Sequence, residues 1–123
     1  MVDGEFHQVV DAVKLALKDE GFGVLTEVDI AKTLDEKLSK TFRPYVILGA
    51  CNPSLAHQAL MMEDKLGVML PCNVIVQQKD GKVEVAAIDP VTSLGRTGNT
   101  ELTATAGEVK DRLERVVAAV AVS

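Results

Sequence analysis

The tetrapeptide Lys79-Asp80-Gly81-Lys82 constrains this chain more than any other stretch. It separates two extended-type runs, Cys72 to Gln78 and Val83 to Ile88. An Asp-Gly pair in that place predicts a two-residue hairpin turn, because both central residues of such a turn need positive φ and these two residue types tolerate it best. Strands joined so tightly are antiparallel neighbours. The pattern disfavours a doubly wound parallel sheet. It points instead to an α+β fold of two layers, a mainly antiparallel sheet covered on one face by helices. A length of 123 residues leaves room for one domain, spanning residues 1–123.

The rest of the chain supplies the helices and the remaining strands. Phe6, Val9, Val10, Val13 and Leu17 recur at helical spacing, and Gly21 stands where a left-handed cap closes a helix. From Phe22 the period becomes two, which predicts a strand with Val24, Thr26 and Val28 on one face and Leu25, Glu27 and Asp29 on the other. Asp29 is placed to cap a short helix through Ile30, Leu34 and Leu38, and Arg43-Pro44 then forces extended backbone. Tyr45 to Cys51 is continuously apolar, the mark of a strand buried on both faces. Asn52-Pro53 opens a second long helix, with Leu55, Ala56, Ala59, Leu60 and Leu66 toward the core and Gly67 at its end. Thr97 to Thr105 reads as a polar, mobile loop. Thr105-Ala106-Gly107-Glu108 reads as the capping box of a last helix striped by Val109, Leu113, Val116, Val117 and Val120. Three helices would cover one sheet face. The apolar content of the strands predicts that a second copy covers the other, giving a homodimer.

Composition narrows the function classes. A net charge of −5 disfavours nucleic acid and anionic membranes as partners, and four aromatic residues leave little for base stacking. The N-terminal residues lack the basic head and apolar run of a secretory signal. The apolar stretch Val116 to Val122 is far short of the roughly 20 residues that span a bilayer. A cytoplasmic location follows as the expectation, with both cysteines as reduced thiols.

Chemistry centres on a near-repeat, Cys51-Asn52 at a strand-to-helix turn and Cys72-Asn73 at the start of a strand. Cys51 precedes a helix N-terminus, whose unpaired N–H groups favour a thiolate and lower a thiol pKa. His57, one turn into that helix, is placed either to approach the thiols as a tuning base or to face solvent. Cys51, Cys72, His57, Asn52 and Asn73 thus form a candidate thiol or ligand site, suited to a sulfur species, an oxidant or a soft metal. The opposing reading is an interaction module in which both cysteines are small buried apolar side chains. Glu27, Arg43 and Tyr45 are secondary polar candidates, Glu27 as a half-buried carboxylate and Arg43 as a partner for an anionic group. The spacing Cys-x5-His-x14-Cys matches no usual zinc pattern, so no metal site is assigned; the residues name no cofactor, while a small-molecule ligand stays open.

Four segments together resemble the domain of unknown function 302 family: Gly21 to Asp29, Phe42 to Pro53, Ala56-His57 and Leu70 to Val74. The resemblance runs from the first helix to Asp89-Pro90. It implies a small α+β, TBP-like, two-layer domain that is commonly a homodimer and has no established activity. It also implies a further strand ahead of the first helix, whereas here little precedes Phe6.

Overall fold

The computed structural model describes residues 2–121. Helix α1 (Phe6–Asp19) leads into β1 (Gly23–Asp29), α2 (Ile30–Leu38), β2 (Tyr45–Cys51), α3 (Pro53–Met62) and a 3₁₀ segment (Asp64–Met69). Then come β3 (Cys72–Lys79), β4 (Lys82–Ala87), α4 (Pro90–Gly95), a 3₁₀ turn (Thr100–Leu102) and α5 (Thr103–Ala121). The strands form one antiparallel sheet in the order β1-β2-β3-β4. This is the expected α+β arrangement. Asp80 and Gly81 both have positive φ (54° and 78°), the backbone that the hairpin between β3 and β4 requires.

The core lies between one sheet face and helices α1 and α5. Val13 and Leu17 from α1, Leu113 and Val116 from α5, and Leu48, Val74 and Val76 from the central strands are all fully buried there. Burying each such side chain contributes about 1.5–3 kcal/mol. A second cluster of Ala59, Leu66, Leu94, Leu102 and Ala106 packs α3, α4 and both 3₁₀ segments against the start of α5. Helix α2 contacts β1 and β2 but contributes no residue to either cluster.

Several local expectations are corrected. Pairing slips between Val24 and Thr26, so Leu25 occupies a bulge. Val24 therefore packs against the core, Thr26 and Val28 turn to the opposite face, and Glu27 pairs across to Leu48 on the core side. Helix α3 stops at Met62, and a 3₁₀ segment rather than an α-helical turn delivers Leu66 to the second cluster; Leu60 is exposed. Val68 and Met69 belong to that 3₁₀ segment, and β3 begins at Cys72, where the extended run was expected. Helix α4 was not expected, although Asp89-Pro90 is a cap followed by a first-turn proline; Asp89 accepts from the N–H groups of Val91 and Thr92. The stretch read as a mobile loop is folded, with Leu102 inserted into the second cluster at 2% exposure. Helix α5 starts at Thr103, which leaves Thr105 buried within its first turn. Ahead of α1, Val2 makes a single antiparallel bridge with Val83.

Candidate functional site

The expected site residues fall into three separate places. The first is the seam where β2 ends, β3 begins and α3 starts. Ala50 faces Cys72 across the β2–β3 pair, so Cys51 stands one position beyond it at the end of β2. Both thiols are free, Cys72 buried and Cys51 half-buried, and both line a small cavity of about 30 Å³. That space is of the order of a single water molecule. Phe22, Leu55, Ala59, Leu66 and Val109 close it with apolar side chains, since it lies where the two hydrophobic clusters meet.

Asn52 shares this seam at 9% exposure. It caps α3, because Leu55 N–H donates to its Oδ1 at 3.1 Å and Ala56 N–H donates to its carbonyl at 2.8 Å. The same geometry occupies part of the electropositive helix start that Cys51 was expected to exploit. Pro53 has no N–H, and the N–H groups of Leu55 and Ala56 are both taken by Asn52. Burial instead pushes the Cys51 thiol above its ordinary pKa. Burial likewise raises Cys72, and the neighbouring Cys51 raises it further. These shifts run opposite to the activated thiolate anticipated for Cys51.

His57 sits on the exposed side of α3 and is not among the cavity-lining residues. Asn73 is exposed on β3, where it pairs with Gly49 on the sheet face away from Cys72. Its carbonyl accepts from Ile88 N–H at 3.1 Å. The seam therefore brings together Cys51, Cys72 and Asn52 and leaves His57 and Asn73 outside. Among the described residues no group of three or more His, Cys, Asp or Glu side chains is arranged to hold a metal ion.

The second place is the other end of β2, roughly 20 Å away along a seven-residue strand. Arg43 Nε donates to Gln77 Oε1 at 2.8 Å, and Gln77 Nε2 donates to Glu84 Oε1 at 2.8 Å. The guanidinium of Arg43 lies 4.4 Å from the Phe42 ring centroid and 5.9 Å from that of Tyr45. Arg43 and Tyr45 are thus gathered into one aromatic and polar group with Gln77, a residue that no motif or spacing singles out. The third place is the core-side flank of β1, where the exposed Glu27 is ion-paired with Lys14 of α1. That pair is a surface contact of small energetic consequence.

Beyond the expected residues, the sheet face opposite α1 and α5 carries a continuous apolar row. Val28 pairs with Ile47, Ile47 with Ile75, and Ile75 with Ala86, so the row crosses all four strands. Thr26, Gly49 and Asn73 flank it on one side, and Tyr45, Gln77 and Glu84 on the other. Alternation along each strand contains this signal, but the register that lines the four residues up does not appear in any one segment.

Residues 1–120 match the sequence family described as domain of unknown function DUF302. The chain belongs to the DUF302 family. A solved relative, the crystal structure of an uncharacterized conserved DUF302 protein from Bacillus stearothermophilus, superposes with a TM-score of 0.91 at 28% identity. The alignment covers 97% of this chain and 93% of that one. No curated protein matches the chain. Membership fixes the fold and carries no activity with it. Among the described residues no helix is long and apolar enough to cross a membrane.

Proposed function

We propose that this DUF302 chain is a cytoplasmic, homodimeric, non-enzymatic interaction module that self-associates through its open sheet face, with Cys51 and Cys72 serving as small packing side chains. The apolar row Val28, Ile47, Ile75 and Ala86 carries the reading. An apolar strip bordered by polar rows has the anatomy of an interface core and its rim. Exposure adds to it, since Val28 and the nearby Ile88 each leave more than a third of their surface in water. The raised thiol pKa values support the packing role, because a buried neutral thiol behaves as a small hydrophobe.

One observation favours a second reading. Cys51 and Cys72 line the same cavity, which suits a thiol-centred site for a small sulfur species or oxidant. That site would work with slow, burial-suppressed thiols and without the tuning base once expected of His57. Sedimentation of the native chain across micromolar concentrations tests the leading reading. A concentration-dependent dimer is expected. A monomer throughout, with native helix content, overturns it.

A further inference from the structure

Asn52 and Asn99 both cap helical segments, and they use their side-chain amides differently. Asn99 accepts from Glu101 N–H through Oδ1 and donates from Nδ2 to Met62 O at 2.9 Å. Asn52 accepts from Leu55 N–H through Oδ1, which fixes the orientation of its amide, yet its Nδ2 donates to no acceptor among the described residues. Its side chain is only 9% exposed. A donor held that deep without an acceptor costs stability and calls for an explanation.

The Nδ2 of Asn52 is aimed at Gly21. The place a Cβ would take on Gly21 lies 2.9 Å from Asn52 Nδ2 and 3.2 Å from Arg112 Nη1, both within hydrogen-bonding reach. Gly21 itself is exposed, so the notch left by its missing side chain opens to solvent. Arg112 brings further unused donors to this place. Its Nη1 spends one proton on Glu20 O at 2.8 Å and keeps the other, and its Nε is buried without a partner.

Acceptors around the notch are already engaged. Glu108 Oε1 accepts from Arg112 Nη2 at 3.0 Å, and Glu20 Oε1 accepts from Arg115 Nε at 2.9 Å. At the end of α1 the carbonyls of Leu17 and Lys18 accept from the N–H groups of Phe22 and Gly21. An aspartate would cap α3 equally well, as Asp29 and Asp89 cap α2 and α4, and would set a carboxylate oxygen beside Arg112. Asparagine sets a donor there instead. Two donors from two residues thus converge on a solvent-open notch that the chain itself does not fill.

We infer that the notch over Gly21 binds a carboxylate, one oxygen accepting from Asn52 Nδ2 and the other from the unused Nη1 proton of Arg112. The charged donor selects an ionised acceptor over water, because charge-assisted hydrogen bonds are roughly twice as strong as neutral ones. A carboxylate also meets two donors with two oxygens. Gly21 precedes the Gly23 end of β1, whereas the apolar row crosses that strand at Val28, so the inference does not rest on the open-face dimer.

Titration of the isotope-labelled full chain with sodium acetate, followed by NMR against sodium chloride at equal ionic strength, tests it. The side-chain N–H signals of Asn52 and Arg112 and the backbone N–H of Gly21 are expected to shift saturably with acetate and not with chloride. Asn52→Asp keeps the cap and replaces the donor with an acceptor, so acetate should bind about tenfold or more weakly. Arg112→Gln should weaken binding in the same way, which keeps the test open if one variant does not fold. Acetyl-alanyl-alanine in place of acetate separates two sources of the same group. Tighter binding of the dipeptide assigns the notch to a peptide C-terminus, weaker binding to a free carboxylate, and saturable shifts with either support the site. Equal shifts in acetate and chloride would leave only water in the notch and overturn the inference. So would acetate binding that Asn52→Asp leaves unchanged.

Discussion

Ile47 and Ile75 stand directly opposite each other on the sheet face that α1 and α5 leave bare. Neither belongs to the core, yet together they form the centre of a row that crosses the whole sheet. A lysine at the centre of an interface must be desolvated without a partner. Ile75→Lys should therefore weaken self-association by about 2 kcal/mol or more, roughly thirtyfold. Sedimentation measures the loss, and circular dichroism should report an unchanged fold. Unaltered association would remove this face from the contact.

The thiols should be slow. Burial raises both pKa values, and Asn52 already takes the N–H groups of Leu55 and Ala56 at the start of α3. Alkylation of the native chain is expected to proceed at Cys51 before Cys72, in line with their burial, with a Cys51 rate midpoint above the free-thiol value of about 8.5. Denaturant should abolish the difference. A midpoint below that value, or slowing on His57→Gln, would favour the thiol-site reading.

Stability should fall at alkaline pH for the same reason. A thiol whose folded pKa lies above its unfolded one contributes fully below about pH 8.5, and the contribution is lost as pH rises toward the folded value. Denaturant midpoints of the native chain should drop more steeply above that pH than those of Cys51→Ala and Cys72→Ala. Parallel curves would contradict the raised values.

Gly21 joins α1 to the Asn52 cap. It has φ +84°, and a Cβ there would lie 2.9 Å from Asn52 Nδ2 and 3.2 Å from Arg112 Nη1. Arg112 donates from Nη1 to Glu20 O at 2.8 Å, so the turn is held from α5 as well. Gly21→Ala should cost about 1–2 kcal/mol from the left-handed backbone alone. Asn52→Ala should cost about 1 kcal/mol as a lost cap. The two sites touch, so the double variant should lose less than the sum, a coupling that urea unfolding measures. Strict additivity would show the cap and the turn to be independent.

What the sequence made legible was local. Tyr45 to Cys51 has the expected bounds because a continuous apolar run has no competing pattern, although Tyr45 and Ile47 are only half-buried and the strand is not enclosed on both faces; the hairpin was legible because Asp80-Gly81 has few other uses. The Leu25 bulge escaped because alternation still looked regular on either side of it. Helix α4 escaped although its Asp89-Pro90 start was visible, since six residues give too few apolar repeats to show a period. The candidate site was legible only in part. Cys51 and Cys72 do meet at one seam, but their burial depends on Leu66 and Val109, which arrive from distant segments. Such burial outweighs a helix terminus that looks favourable in isolation. The open-face row was invisible for a related reason, because its four residues are aligned by register across three strand pairs.

The measurement that bears most directly on the open-face dimer is an isotope-filtered NOE experiment on a mixture of labelled and unlabelled chains. Methyl groups of Val28, Ile47 and Ile75 in one protomer should show contacts to the same set in its partner. Intermolecular contacts confined to other surfaces, or none at concentrations where the chain sediments as a dimer, would contradict the account.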